Sequence, residues 1–379
     1  MLGGGMSEKK ISSLATILVT GVSGLWAGAA SAAYEYNLNP PASTITQEIF
    51  DLHMLTTWVA TIIMVIVTAM IVYALYAFRH SKGAVADQEF HNNWFGRWAW
   101  VLVPVIVLGI DLSIASSASS TLSSVESHDK ADVTVKVIGS QWKWTYEYMD
   151  DDIKIVSNLK KLEPTDPLYL RDVDEPLVLP TGKRVRFLLT STDVLHNWGI
   201  AEIVPKKINI PGYINETWTN ITKEGTYRGQ CYENCGTGHA FMPAVVTAVS
   251  PEKFEQWRSE KKAALAQAAA EASSDKVWAK EELVAKGQEV YTKNCMACHQ
   301  AAGQGIPGVF PALAGSKIAN GVATDHINIV VKGKAGTAMA AWGPQLNDLD
   351  IAAVITFERN SWGNTAGDVV QPNDVKAAR

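Results

Sequence analysis

Twelve residues in the second half of the sequence, Cys231-Tyr-Glu-Asn-Cys235-Gly-Thr-Gly-His239-Ala-Phe-Met242, combine two thiols, an imidazole and a thioether. These are soft ligands that suit copper, and two cysteines four residues apart on one loop can each bridge two metal ions. A further ligand must come from elsewhere, and His196 follows a predicted strand. The stretch therefore predicts a copper site. Tetrahedral zinc is the alternative, but it would leave Met242 without a role.

The sequence around this stretch, residues 130–250, consists of short runs in which apolar and polar residues alternate. The clearest runs are Val133-Thr-Val-Lys-Val137, Trp142-Lys-Trp-Thr-Tyr-Glu-Tyr148, Val185-Arg-Phe-Leu-Leu189 and Ala244-Val-Val-Thr-Ala248. A period of two with turn signals between the runs is typical of an antiparallel β-sandwich or barrel. Core packing is the expected role of the aromatic residues at 144, 146 and 148.

Two apolar segments precede the sandwich and predict a transmembrane helix hairpin over residues 45–118. Leu52–Phe78 has no formal charge and is long enough to cross a hydrocarbon layer of about 30 Å. Trp98–Ala118 is broken only by Asp111. The segment between them carries Arg79, His80, Lys82 and Arg97. By the positive-inside rule this segment faces the cytoplasm, so both termini and the later domains face outwards.

The N-terminal 32 residues are typical of a signal peptide. Lys9 and Lys10 precede an apolar stretch, Ile11–Ala30, and small residues then lead to a cleavage position before Ala33. A third, uncleaved membrane helix is the alternative interpretation.

Length and composition indicate several folded units rather than one. The chain has 379 residues and a net charge of -5, and it lacks the basic surface that nucleic-acid partners require. All four cysteines fall into two tight pairs beside histidines, which favours cofactor binding over disulfides.

A C-terminal cytochrome domain is predicted over residues 279–362, after a helical linker over 251–278 rich in Ala, Glu, Gln and Lys. Its motif, Cys295-Met-Ala-Cys298-His299, is the C-x-x-C-H pattern in which two thioethers hold a haem and the histidine binds its iron. A chance match in a redox or zinc loop is the alternative. Residues 363–379 are taken as a tail.

The sixth ligand of the haem iron must come from further along the chain, and His326 and Met339 are the candidates. We favour Met339, which lies forty residues after His299 in a loop of characteristic sequence. A Met/His pair would raise the haem potential and suit delivery to a high-potential copper centre. The residues Gly336-Thr-Ala-Met339-Ala-Ala-Trp342-Gly precede a helix predicted to open at Asn347. This arrangement resembles the methionine loop of class I cytochromes c, although Ala340 stands where that family often has proline.

The metal motif and the helix hairpin together resemble cytochrome c oxidase subunit II, and the resemblance covers roughly residues 45–250. It implies a cupredoxin-like sandwich with a binuclear copper A centre. The ligands implied are His196, Cys231, Glu233 through its carbonyl, Cys235, His239 and Met242. It also implies that the Glu233 side chain faces a magnesium ion shared with the catalytic subunit, and that electrons enter at Trp142.

On this resemblance the chain is the electron-entry subunit of a haem-copper terminal oxidase in a bacterial inner membrane. Electrons would pass from a cytochrome or respiratory-complex donor through haem c and copper A to subunit I, which reduces oxygen to water. A glutamate that many relatives carry seven residues before Pro104 is replaced by Arg97, which leaves a nitric-oxide reductase of the same superfamily as an alternative. A copper-binding or assembly protein is a further alternative, which the covalent haem argues against.

Overall fold

The structure, a computed structural model, describes residues 36–83, 85, 89–272 and 276–379. The chain divides into two units, Met1–Pro41 and Ala42–Arg379. In the first unit the described residues, 36–41, form neither helix nor strand. The predicted signal peptide lies outside the described residues.

Two long helices open the second unit, α1 Thr44–Ala77 and α2 Trp94–Val125. Both are long and apolar enough to cross a membrane, and their apolar side chains are exposed along the spans. The predicted hairpin is therefore confirmed, although α2 continues seven residues past Ala118. Ser43 starts α1 as a cap whose hydroxyl accepts a hydrogen bond from the Thr46 amide. The last turn of α2 is fixed to the next domain by Trp218, which donates to the Ser124 carbonyl at 2.8 Å.

The next domain is a β-sandwich of ten strands. They are β1 Val133–Ser140, β2 Lys143–Tyr148, β3 Ile153–Ser157, β4 Leu177–Pro180, β5 Val185–Ser191, β6 His196–Ile200, β7 Val204–Asn209, β8 Asn215–Thr219, β9 Gly225–Gln230 and β10 Pro243–Val249. A five-stranded sheet has the order β3-β2-β1-β5-β8, a three-stranded sheet has the order β4-β10-β9, and β6 pairs with β7.

The sequence pattern predicts a purely antiparallel sandwich, but the two larger sheets are mixed. Strand β1 runs parallel to β5, and β10 runs parallel to β4. Parallel neighbours need a crossover, and along the chain β2 to β4 lie between β1 and β5, while β5 to β9 lie between β4 and β10. Alternation along β1 and β5 still holds, with Val135, Val137, Phe187 and Leu189 fully buried in one core.

The C-terminal region is helical, as predicted. Its elements are α3 Pro251–Ala272, α4 Lys280–Asn294, α5 Met296–His299, α6 Ala323–Lys332, α7 Asp348–Arg359 and α8 Pro372–Ala378. Helices α4 and α7 cross closely at Gly287, where an added Cβ would lie 2.0 Å from the Ala353 carbonyl oxygen. Asn347 caps α7 by accepting from the Asp350 amide, which agrees with the predicted start of this helix.

Residues 363–379 belong to this helical domain rather than forming a separate tail. Val375 is fully buried against the domain core. The Arg379 side chain donates to the Leu346 carbonyl at 2.7 Å and pairs with Asp348. Apolar burial and charge pairing over so short a segment explain why it is ordered, although its sequence is polar.

Helix α3, the predicted linker, packs along the sandwich instead of projecting from it. Phe254 is buried against Tyr148, and Trp257 packs beside both rings. The nearly buried Asp151 pairs with Arg258 at 3.2 Å and with Lys262 at 2.6 Å. The linker is therefore joined to the sandwich over three turns.

Candidate copper and haem sites

The two cysteines of the metal motif lie side by side at one end of the sandwich. Their loop joins the antiparallel strands β9 and β10, and the Cys231 amide donates to the Met242 carbonyl at 3.0 Å, closing its base. Cys231 Sγ and Cys235 Sγ are 3.8 Å apart, and both side chains are buried. A single loop thus brings two sulfur atoms close enough to share metal ions.

The two histidines flank this sulfur pair, one beside each cysteine. His196 Nδ1 lies 3.9 Å from Cys231 Sγ, and His239 Nδ1 lies 3.5 Å from Cys235 Sγ. His196 comes from β6, which is tied to the loop because the Tyr232 amide donates to the Asn197 carbonyl at 2.9 Å. His196, Cys231 and Cys235 form a metal-binding group by the proximity of their donor atoms.

The two weaker ligands implied by the resemblance also lie at this loop. The Glu233 carbonyl oxygen is 3.3 Å from Cys231 Sγ, and Met242 is almost fully buried in the same core as the cysteines. Two thiols, two imidazoles, a thioether and a carbonyl form a soft donor set that fits copper. Magnesium takes six oxygen ligands, and the Glu233 carboxylate alone cannot supply them.

Asp193 orients the first histidine. Its carboxylate lies 2.9 Å from His196 Nε2, which leaves Nδ1 directed at Cys231. Burial lowers the pKa of His196, but the hydrogen bonds that the protonated ring donates to Asp193 and Cys231 outweigh it and raise that pKa to about 8. Sequence reasoning missed Asp193, although its position three residues before His196 was a usable signal.

The thiols differ in acidity because only Cys231 is stabilised as the anion. Burial raises its pKa, but hydrogen bonding from His196 and the Asn197 amide brings the pKa down to about 7. Burial and the charge of Cys231 raise the pKa of Cys235 to about 12. In the metal-free protein the first proton therefore leaves Cys231.

Trp142 lies against the metal loop, in the turn between β1 and β2 rather than within a strand. Its indole N–H donates to the Cys235 carbonyl at 3.2 Å, and the Gln141 side chain donates to the same oxygen at 2.7 Å. The contact is close because Gly238 has no side chain: an added Cβ would lie 2.2 Å from the indole. Trp144, Tyr146 and Tyr148 are buried in the core, as expected.

The haem-attachment motif occupies the junction of α4 and the short helix α5. Burial raises the pKa of the Cys295 and Cys298 thiols, so both are protonated before attachment. His299 Nδ1 lies 2.9 Å from the Pro311 carbonyl oxygen, which fixes the ring and leaves Nε2 available to an iron. The motif residues thus fit a covalently bound haem.

The two candidates for the sixth ligand lie in different surroundings. His326 is buried, and its Nε2 lies 2.8 Å from the Glu358 carboxylate. Met339 is partly buried and packs in the same apolar cluster as Cys295. Membership of the apolar cluster that includes Cys295 favours Met339 as the ligand, since His326 is not part of that cluster.

Together, a membrane-anchored cupredoxin-like domain with a soft-ligand metal site and a helical cytochrome c domain define a class of membrane electron-transfer proteins. Residues 133–249 match the family "Cytochrome C oxidase subunit II, periplasmic domain", and residues 31–117 match "Cytochrome C oxidase subunit II, transmembrane domain". Residues 282–357 match "Cytochrome C oxidase, cbb3-type, subunit III".

Individual relatives agree with these matches. The chain is 36% identical over 232 residues to a "Probable cytochrome c oxidase subunit 2" of Rickettsia bellii, covering 60% of this chain and 84% of the relative. It is 31% identical over 271 residues to cytochrome c oxidase subunit 2 of Cereibacter sphaeroides, and the match covers 63% of this chain and 88% of that relative. The chain belongs to the cytochrome c oxidase subunit II family.

Solved structures include the periplasmic domain of subunit II of the Bradyrhizobium japonicum cytochrome oxidase. It is 37% identical in sequence, with a TM-score of 0.33, and the match covers 35% of this chain and 96% of that one.

Proposed function

We propose that this chain is the electron-entry subunit of a haem-copper terminal oxidase. It takes electrons from a cytochrome or respiratory-complex donor at haem c and passes them through the binuclear copper A centre to catalytic subunit I, which reduces oxygen to water. When bound, the two cofactors supply two one-electron carriers outside the membrane. The relatives reported above are named for cytochrome c oxidase, which favours oxygen over nitric oxide as the partner's substrate.

The observation that carries this proposal is the pair of sulfur atoms 3.8 Å apart with one imidazole beside each. A single tetrahedral zinc bound by two thiolates would also place its sulfur atoms about 3.8 Å apart. Zinc takes only four ligands, however, and would leave Met242 and the Glu233 carbonyl unused, whereas two metal ions bridged by both sulfurs would use all six donors. Cys231 and Cys235 would be the bridging ligands and His196 and His239 the terminal ones. Met242 and the Glu233 carbonyl would complete the two coordination spheres.

The haem would be held by Cys295 and Cys298 through thioethers and by His299 and Met339 as axial ligands, in a domain of the class I cytochrome c type. Met339 packs against an apolar cluster, which would shield that side of a bound haem from water. Trp142 would be the residue through which electrons reach the copper, because its indole contacts the Cys235 carbonyl directly.

The membrane arrangement follows from the charges next to the spans. The segment between α1 and α2 carries Arg79 and Lys82, and Arg97 lies in the first turn of α2. We propose that this end of the hairpin faces the cytoplasm of a bacterial inner membrane. The copper and haem domains then lie on the outer side. The exposed apolar flanks of α1 and α2 are suited to contact subunit I and lipid. A magnesium ion at Glu233 would need further ligands from subunit I.

The test measures copper content, covalent haem and electron paramagnetic resonance spectra on the full chain purified with its partner subunits. The wild type should show a mixed-valence binuclear copper signal and haem covalently attached to this chain. His239→Asn should lose that signal, because one copper then lacks its imidazole. His128→Asn is the matched control, since His128 lies on the surface beside the same domain, where it pairs with Glu216.

Zinc or a single copper in the wild type would refute the copper assignment. A chain without covalent haem after denaturing electrophoresis would refute the haem assignment. A binuclear signal that survives in His239→Asn would remove His239 from the ligand set.

A further inference from the structure

Lys143 on the copper domain contacts the haem domain. It is the first residue of β2, directly after Trp142, and its side chain is only 8% exposed. Its Nζ lies 3.3 Å from Asn294 Oδ1 and 4.4 Å from the centre of the Trp342 ring. A lysine is seldom buried unless its charge has partners, and both of these partners belong to the other domain.

The two partners of Lys143 lie at opposite ends of the haem-binding sequence. Asn294 ends α4 and directly precedes Cys295, the first haem-attachment residue. Trp342 follows Met339 by three residues in the methionine loop. One ammonium group therefore contacts both segments that would enclose the haem, through a charged hydrogen bond and a cation–π contact.

We propose that Lys143 anchors an electron-transfer interface within the chain, holding the haem-attachment edge of the C-terminal domain against the start of β2, directly after Trp142. The inference rests on the function proposed above and names the electron donor to Trp142 as this chain's own haem domain. One electron crosses per event, with one oxidation in the haem domain and one reduction in the copper domain. No bond or proton is exchanged.

The contacts around Lys143 form a short connection between the two sites. From Lys143 the chain leads by one peptide bond to Trp142, whose indole donates to the Cys235 carbonyl in the metal loop. A second contact lies alongside, where Lys161 Nζ is 2.9 Å from the sulfur of Met296, inside the C-x-x-C-H motif. Both contacts involve residues next to Cys295, so it is the attachment edge that faces the copper domain.

Lys143 carries its charge at neutral pH. Burial is the main influence and lowers its pKa to about 8. The ammonium form therefore predominates at pH 7, as the cation–π contact with Trp342 requires.

The experiment uses the full chain in its purified complex and two readouts. The first is the rate of electron transfer from haem c to copper A, followed optically after photoreduction of the haem. The second, independent of turnover, is hydrogen–deuterium exchange of the end of α4. The variants are Lys143→Met, which keeps the length and apolar stem of the side chain, Asn294→Ala, and the double variant. Lys183→Met, at an exposed turn of the same domain, is the control.

We expect Lys143→Met to slow the transfer about tenfold, which corresponds to about 1.4 kcal/mol for one charged hydrogen bond. Exchange at the end of α4 should rise in parallel. The double variant should be no slower than Lys143→Met alone, because both changes remove the same contact. Lys183→Met should behave as the wild type.

Two results would overturn the proposal: an unchanged transfer rate in Lys143→Met with both cofactors bound, or additive effects in the double variant. Loss of copper or haem from the wild type would instead contradict the proposed function. Because cofactor content is measured on every sample, the two failures can be told apart.

Discussion

Gly139 in β1 lies under the ring of His196, and a single methyl group there should disturb the copper site. In Gly139→Ala the new Cβ would lie 2.8 Å from both Cδ2 and Cγ of His196. Ordinary carbon contacts begin near 3.4 Å, so one of the two must move by about 0.6 Å. His196 cannot swing aside freely, because it is fully buried and its Nε2 is held by Asp193.

The strain should appear in both stability and metal binding. Overpacking of this size costs about 1–3 kcal/mol of unfolding free energy. A ligand shifted by more than about 0.5 Å no longer meets its metal in the required geometry. We therefore expect Gly139→Ala to bind less copper and to show an altered or mononuclear paramagnetic signal, measured on the purified full chain with its partners.

Gly225→Ala provides the matched control. Gly225 lies in β9 of the same domain, and its added Cβ would meet only Tyr227, at 3.5 Å. This variant should keep the wild-type copper content and spectrum. If Gly139→Ala also kept both, together with its unfolding free energy, the inference that His196 is held in a fixed position for the metal would be refuted.

Three further predictions concern the haem domain. Met339→Leu should lower the reduction potential of the haem in a redox titration, whereas His326→Gln should leave its ligation spectrum unchanged; the reverse pattern would make His326 the ligand. Gly287→Ala should destabilise the domain by about 1–3 kcal/mol in a denaturant titration, because α4 and α7 would be forced apart; an unchanged midpoint would contradict the close crossing. Hydrogen bonding from Arg359 lowers the pKa of Asp368 below its usual 3.8, so its stabilisation is complete above about pH 4 and is lost as the pH falls through the lowered value. Asp368→Asn should therefore reduce the acid dependence of unfolding, and an unchanged pH profile would count against this ion pair.

The metal-binding loop and the main elements could be predicted from the sequence because their signals are local. Cys231, Cys235, His239 and Met242 lie on one hairpin connection, so their spacing alone places the donors together. The haem motif is likewise contiguous. The strands and helices can be predicted without knowledge of the fold, because alternation marks the strands and helical periodicity marks the helices.

Features that depend on contacts between distant segments could not be predicted. The parallel pairing of β1 with β5 and the contact of Trp142 with the Cys235 carbonyl both arise from chain crossings that leave no periodic trace. The role of Lys143 could not be predicted either. In the sequence it is an ordinary lysine in an alternating strand, and only the fold shows that the haem domain buries it. Residues 363–379 look like a tail because their few apolar side chains become significant only in the folded domain.

The packing of α3 along the sandwich also keeps the haem domain close to the surface around Lys143 on the copper domain. With Arg258 and Lys262 paired to Asp151, and Phe254 and Trp257 against Tyr148, the far end of α3 can move only over a small volume. A tether this short keeps its cargo at an effective concentration on the order of millimolar. A contact at Lys143 with a dissociation constant below that concentration would then be occupied most of the time.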